Sequence, residues 1–112
     1  MTTANLTVRA TAAIEKGYRY DETISDGLVG ADVKIPALPT GKRINCTIIA
    51  GGNTGYFEIS SSSDAKIADG TAVWDPWALG TQTGTKSDAL LAGVSGIRGV
   101  SVAGEVTIEI II

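Results

Sequence analysis

Short runs of alternating apolar and polar residues make up most of this chain, and glycines or other turn-forming residues separate the runs. Alternation with a period of two is typical of β-strands that bury one face, because successive side chains in a strand point to opposite sides. The turn signals recur at the spacing expected of an antiparallel sandwich or small barrel. The pattern therefore predicts an all-β fold. The alternating runs are residues 5–13, 32–35, 43–50, 55–60 and 105–112.

The C-terminal residues carry the clearest strand signal. Residues 96–102 and 105–112 both alternate, and Ala103-Gly104 stands between them. Two such runs around a short glycine-containing turn are typical of a β-hairpin, so we predict that they pair with each other. The glycine-rich residues 51–55 are interpreted in the same way, as a hairpin loop.

Helix is expected to be almost absent. The best candidate is residues 87–91, where Ser87 could cap a single turn. Residues 9–16 can be interpreted as strand or helix, and their β-branched threonines favour strand. The serine-rich residues 59–64 are predicted to be a strand end or a loop.

The length of 112 residues is sufficient for one domain, since two separate cores would each be very small. We therefore predict a single antiparallel β-sandwich or jelly-roll-like domain over residues 1–112, with very little helix. Apolar residues make up 44% of the chain but aromatics only 5%, so the core has to rest on aliphatic side chains.

Charge and leader signals restrict the partners and the location. The net charge is −3 and the nine basic residues are scattered, whereas nucleic-acid binding needs clustered positive charge. The first residues lack the basic and apolar segments of a secretory leader, and no apolar stretch reaches the length of a membrane helix. We expect a protein made in a cytoplasm that binds neither nucleic acid nor membrane.

Candidate chemistry is sparse in this sequence. The chain has no histidine and one cysteine, Cys46, which stands in an apolar run and is predicted to be buried. Metal sites and acid–base sites would have to be built from carboxylates alone, and no suitable spacing is present. We predict no catalytic residues, no metal and no cofactor, and therefore no enzymatic activity.

Three residues are candidates for protein contacts. Trp74 and Trp77 flank Asp75-Pro76, and a proline there predicts an edge strand or loop where the rings are partly exposed. The rings could cap the core, contact another protein or stack on a sugar. In the last strand, alternation sends Ile110 to the core and leaves Ile111 on the opposite face. Either another subunit covers Ile111 or this strand is covered on both sides, which favours oligomerisation.

The C-terminal third resembles small virion structural proteins of tailed bacteriophages. Residues 87–98 carry the resemblance, with the segment Ser-Asp-Ala-Leu-Leu-Ala-Gly-Val-Ser-Gly-Ile-Arg, together with residues 73–75 and 106–110. The resemblance implies a β-sandwich or jelly-roll capsid decoration protein, often a trimer, without catalytic residues. We therefore expect a homotrimer that binds the major capsid protein on the virion surface. The alternative is a carbohydrate-binding or receptor-contacting module of a tail protein that uses Trp74 and Trp77.

Overall fold

The fold is a sandwich of two β-sheets. The computed structural model describes residues 3–5, 7–9, 17–36, 43–90 and 93–112. These residues form ten strands and one short helix, and each sheet has five strands. Buried aliphatic side chains from both sheets meet between them in one core. The predicted all-β sandwich with little helix is confirmed, and one of the described strand pairs is parallel.

Each sheet draws its strands from the whole length of the described chain. The first sheet contains, in chain order, β1 (Thr3–Asn5), β4 (Asp32–Lys34), β6 (Thr54–Ser60), β7 (Asp75–Pro76) and β9 (Gly96–Ala103). The second sheet contains β2 (Thr7–Arg9), β3 (Gly17–Ile24), β5 (Ile44–Ile49), β8 (Thr85–Leu90) and β10 (Val106–Ile111). The spatial orders are β1-β4-β9-β6-β7 and β2-β3-β10-β5-β8. The chain therefore crosses repeatedly from one sheet to the other.

The central strands of the second sheet follow the predicted alternation. In β5, Ile44, Cys46 and Ile48 are buried while their neighbours are exposed or half-buried. In β10, Ile110 is buried and Ile111 lies half-buried on the outer face, as predicted. Register is well specified in such strands, because a slip by one residue would exchange the buried and solvent faces.

The predicted C-terminal hairpin is wrong. β9 pairs with β4 and β6, and β10 pairs with β3 and β5, so the turn at Gly104 leads from one sheet to the other. The two strands pack face to face instead. A Cβ on Gly99 would lie 2.6 Å from the Ile24 side chain and 2.9 Å from that of Ile108, so glycine allows the sheets to approach closely here.

The glycine-rich residues 51–55 are also not a hairpin loop. They lead from β5 in the second sheet to β6 in the first. A corner between sheets needs the same turn residues and the same flanking alternation as a hairpin. Local sequence therefore cannot distinguish a corner between sheets from a hairpin, and the packing of the inner faces decides which strands pair.

One helix was missed. The helix α1 (Asp64–Asp69) begins after Ser63, whose side chain accepts a hydrogen bond from the Lys66 backbone N–H, and it ends at Gly70 with φ 86°. Both are typical caps, since serine satisfies an unpaired N–H and glycine adopts the left-handed conformation readily. A helix of six residues is too short to show a helical period in the sequence. Its Ile67 is fully buried.

The predicted helix at residues 87–91 is also wrong. Residues 87–90 belong to strand β8, and residue 91 lies outside the described residues. The strand pairs along its whole length with β5, which outweighs the weak local helix signal. Of residues 9–16, Arg9 ends β2 and the others lie outside the described part of the chain. No helix within the described residues is long and apolar enough to span a membrane.

Candidate functional site

Trp74 lies on the outer face of the first sheet, where its ring is half-buried. The ring packs on Gly96, at which an added Cβ would lie 2.9 Å from it. The guanidinium carbon of Arg98 stands 4.3 Å from the ring centroid, a cation–π distance. Arg98 therefore occupies a ring face that a sugar would need for stacking.

A buried ionic cluster lies beneath Trp74. The Nε of Arg98 donates to the Glu58 carboxylate at 2.8 Å, and its Nη1 lies 3.4 Å from Oδ1 of Asp32. The Asp32 side chain is only 2% exposed and that of Glu58 14%. The alternation had placed Asp32 on a polar face. It is buried because α1 and Trp74 cover this part of the outer face.

The cluster is not fully neutralised, since two carboxylates share one guanidinium. The second oxygen of Asp32 and the indole N–H of Trp74 are buried and make no hydrogen bond with any described residue. Such a group is costly to bury unless the surrounding packing holds it in place. The cluster joins β4, β6 and β9, and the contact of Arg98 with the Trp74 ring holds the Trp74 segment on the first sheet. Sequence alone did not reveal it.

Trp77 lies at the edge of the first sheet, as the proline-containing segment predicted. Its ring meets that of Phe57 edge to face with centroids 5.9 Å apart, and its backbone N–H donates to the Phe57 carbonyl at 2.9 Å. The chain returns to β6 at Gln82, whose N–H donates to the Gly55 carbonyl at 2.8 Å. The intervening loop is therefore attached to β6 at both ends.

A shallow, uncharged surface pocket lies between that loop and β6. We call it the aromatic pocket, and its volume is about 120 Å³. Two aromatic rings and a proline ring form most of its wall. The pocket is lined by Tyr56, Pro76, Trp77, Gly80 and Thr81. Of these, Tyr56, Gly80 and Thr81 were not predicted as contact residues.

Ile111 is remote from both tryptophans. It lies on the outer face of the second sheet, directly opposite Arg19 on β3 and Asn45 on β5. Trp74 and Trp77 flank β7 of the first sheet, and residues three apart in an extended chain point to opposite sides. The three predicted contact residues therefore do not form one site, and the two indoles do not form one platform.

An exposed apolar patch was missed. Leu28, Val29 and Val102 expose 57%, 52% and 54% of their surface, and we call them the end patch. They are neighbours because Val29 pairs with Val100 and the Leu28 carbonyl accepts a hydrogen bond from the Ser101 N–H at 2.9 Å. Val102 had been placed in an alternating strand. It is exposed at an irregularity of the strand pairing, where Ser101 pairs with Gly55 and Ala103 with Thr54, so that Val102 has no partner on β6.

The edge of the second sheet that β8 forms is unsuitable for pairing with a strand of another protein. In the edge strand β8, Lys86 lies opposite Ile48 and Asp88 opposite Cys46, so charged residues occupy the positions on the core side. Both charged residues are exposed. Charges at these positions on an edge strand disfavour pairing with another sheet. We therefore expect other proteins to contact exposed side chains of this domain and not to add a strand at this edge.

The prediction that Cys46 is buried is confirmed, since its exposure is 0%. Burial, with a smaller effect of Asp88, raises the pKa of its thiol from 9.0 to about 12. The thiol therefore stays protonated and unreactive at neutral pH. Among the described residues, no three His, Cys, Asp or Glu side chains form a group that could hold a metal ion.

We expect Cys46 to make the fold sensitive to alkaline pH. Above pH 9 the unfolded chain releases the thiol proton while the folded chain retains it, so stability falls as pH rises, by up to about 1.4 kcal/mol per pH unit until the folded pKa is reached. Urea unfolding between pH 8 and pH 10.5 measures this fall. The Cys46→Ala variant should lose less stability over that interval, and an equal loss would contradict the assignment.

Two surfaces of the described chain could therefore contact a partner, the end patch and the aromatic pocket. They lie on different parts of the sandwich and have different chemistry, since the end patch is aliphatic and the pocket is lined by aromatic rings. Neither a protein-family model nor a curated protein sequence matches this chain.

Proposed function

We propose that this chain is a non-enzymatic structural protein that decorates the outer shell of a bacteriophage capsid as a homotrimer and stabilises it. The end patch is the observation that carries the proposal. Three aliphatic residues close together in the fold expose more than half of their surface, whereas most aliphatic residues of the central strands β5, β9 and β10 are buried. Contiguous exposed apolar surface of this kind marks protein contact sites.

Covering the end patch would give a weak binding energy at each site, which is sufficient when several copies bind the shell together. Full burial of one aliphatic side chain is worth about 1.5–3 kcal/mol, so the exposed halves of three side chains contribute a few kcal/mol. A single weak site becomes strong when several copies on one oligomer bind a lattice together, because the later contacts form at high effective concentration. A trimer on a symmetric capsid shell meets this condition.

Charge favours the outside of a shell. The net charge of −3 gives no attraction to the packaged DNA, and the ion pairs of the outer faces bring acidic and basic side chains together. The resemblance of residues 87–98 to small phage virion proteins supports the same location.

The test measures binding of the purified chain to DNA-filled shells of the phage that encodes it, prepared without the chain. We expect saturable co-sedimentation of the wild-type chain, with a mass in solution of three chains by light scattering. The double variant Val29→Ser/Val102→Ser should bind at least about tenfold more weakly, because it removes apolar area from the contact.

Val73→Ser is the matched control. Val73 is 66% exposed but follows α1 near Gly96, at the opposite end of β9 from Val102. This variant should bind like the wild type. A wild-type chain that never binds the shell contradicts the decoration role, and equal weakening by both variants contradicts the role of the end patch.

A further inference from the structure

We infer that the aromatic pocket binds an uncharged sugar ring. The alternative drawn from the sequence placed a sugar on Trp74 and Trp77, but Arg98 covers a face of the Trp74 ring. In the structure it is Tyr56 that shares a pocket with Trp77. The inference goes beyond shell decoration, because the shell contact is assigned to the end patch and leaves this pocket without a ligand.

The walls of the pocket match the apolar face of a sugar. The rings of Tyr56, Pro76 and Trp77 are flat and apolar, and the edge-to-face contact with Phe57 supports the Trp77 ring from behind. A pyranose ring presents a face of C–H groups, and packing this face on aromatic rings removes apolar surface from water. No charged side chain lines the pocket, so we expect its ligand to carry no ionised group.

Two hydroxyl groups of the lining residues add hydrogen-bonding capacity to these walls. Tyr56 and Thr81 both line the pocket, and neither hydroxyl makes a hydrogen bond with a residue of the described chain. Each hydroxyl can both donate and accept. They can therefore pair with hydroxyls of a sugar whose C–H face rests on the rings, whereas a purely aliphatic ligand would make no use of them.

The size and depth of the pocket favour one sugar ring over an apolar side chain. Its volume of about 120 Å³ is well below the roughly 300–1,000 Å³ of pockets that enclose drug-sized ligands, so it accepts a single ring. Because the pocket is shallow, the outer side of any ligand stays in water. An aliphatic side chain would keep apolar surface exposed in this position, whereas the outer hydroxyls of a sugar remain hydrated.

The loop that forms the pocket is already held in shape. In addition to the two attachments of the loop to β6, the Gly80 N–H donates to the Trp77 carbonyl at 3.0 Å, and the Gln82 side chain donates to the Leu79 carbonyl at 2.9 Å. A ligand therefore does not have to order the loop, and less binding energy is lost as entropy. This is important because a shallow site makes few contacts with its ligand.

The test measures binding of trisaccharides to the full wild-type chain by saturation-transfer NMR and tryptophan fluorescence. The probes are the neutral trisaccharides of glucose, galactose, mannose and N-acetylglucosamine, together with the acidic trigalacturonate. We expect saturable transfer to the ring C–H protons of at least one neutral probe, with a change in tryptophan emission over the same concentrations. Trigalacturonate should bind more weakly, because no cation lines the pocket. Saturable binding by none of the neutral probes overturns the inference, and so does tightest binding by trigalacturonate.

Thr81→Arg is the protein-side variant, because it places a bulky side chain in the pocket from an exposed position. It should weaken binding of the sugar at least about tenfold by filling the pocket. Thr83→Arg is the matched control, since Thr83 is exposed in the same loop and does not line the pocket. Equal binding by Thr81→Arg and the wild type would also overturn the inference.

Tyr56→Phe separates the contribution of the hydroxyl from that of the ring. The variant keeps the aromatic wall and removes one hydroxyl, so binding should weaken about two- to tenfold, the effect of a typical neutral hydrogen bond. Thermal unfolding should be unchanged, because the Tyr56 hydroxyl has no partner among the described residues. Sugar binding as tight as that of the wild type would contradict the assignment of this hydroxyl to the site.

The outcomes separate this inference from the proposed function. If no sugar binds but the chain still binds shells through the end patch, the inference is wrong and the decoration role stands. If a sugar binds and shells do not, the chain is a sugar-binding module and the decoration role is wrong.

Discussion

Replacing Arg98 with methionine is expected to destabilise the fold by about 3 kcal/mol. The change leaves the carboxylates of Asp32 and Glu58 buried without a counter-charge, and breaking a buried pair in this way costs about 3–5 kcal/mol. The lower end of this range is expected because 17% of the Arg98 side chain is exposed, so water partly screens the broken pair. The loss is large against the 5–15 kcal/mol that typically stabilises a domain. Urea unfolding at pH 7 measures it.

Arg19→Met is the matched control, because Arg19 also pairs with two carboxylates. Its partners Asp21 and Glu109 lie at 2.7 and 3.3 Å, but the Arg19 side chain is 43% exposed. Ion pairs at the surface contribute about 0–1 kcal/mol to the free energy of unfolding, so this variant should lose little stability. Similar losses for Arg19→Met and Arg98→Met would contradict the distinction between the two networks.

A second change tests the cause of the loss at Arg98. If unpaired buried charge is responsible, Asp32→Asn added to Arg98→Met should recover part of the lost stability, because it removes one of the two buried carboxylate charges that Arg98→Met leaves unpaired. No recovery would indicate that lost packing of Arg98 on Trp74 dominates.

Ile110→Ala is expected to cost about 2–5 kcal/mol, the range for truncating a fully buried isoleucine. Ile110 has 0% exposure and lies between β3 and β5, in the middle of the second sheet. The variant leaves a cavity in a core with few aromatic rings to fill it. Thermal and urea unfolding measure the loss, and Ile110→Val, with an expected cost of about 0.5–1.5 kcal/mol, remains measurable if the alanine variant does not fold.

Ile111→Ala is a matched control in the same strand and of the same residue type. Ile111 lies half-buried on the outer face, so its truncation should cost well under half as much as that of Ile110. Because a one-residue slip of β10 would exchange the two positions, a reversed order of the two losses would contradict the register of the strand.

The sequence by itself determined the fold class and much of the core. Period-two alternation predicted strands around Cys46 and Ile110 and sent both side chains inward, because a strand in a sandwich has to bury one face. The proline in Trp74-Asp75-Pro76-Trp77 predicted an edge segment, because it lacks the N–H that a central strand donates. These properties depend on residues adjacent in the chain, so a local pattern is enough to determine them.

Strand pairing and the candidate sites were decided only by the tertiary structure. The corner at Gly104 has the sequence of a hairpin, but its two strands pair with other strands in different sheets and pack face to face where Gly99 meets Ile24 and Ile108. Asp32 and Arg98 are 66 residues apart in the sequence, and the exposed Val29 and Val102 are further apart still. Contacts over such separations arise when sheets assemble, and no local pattern encodes them.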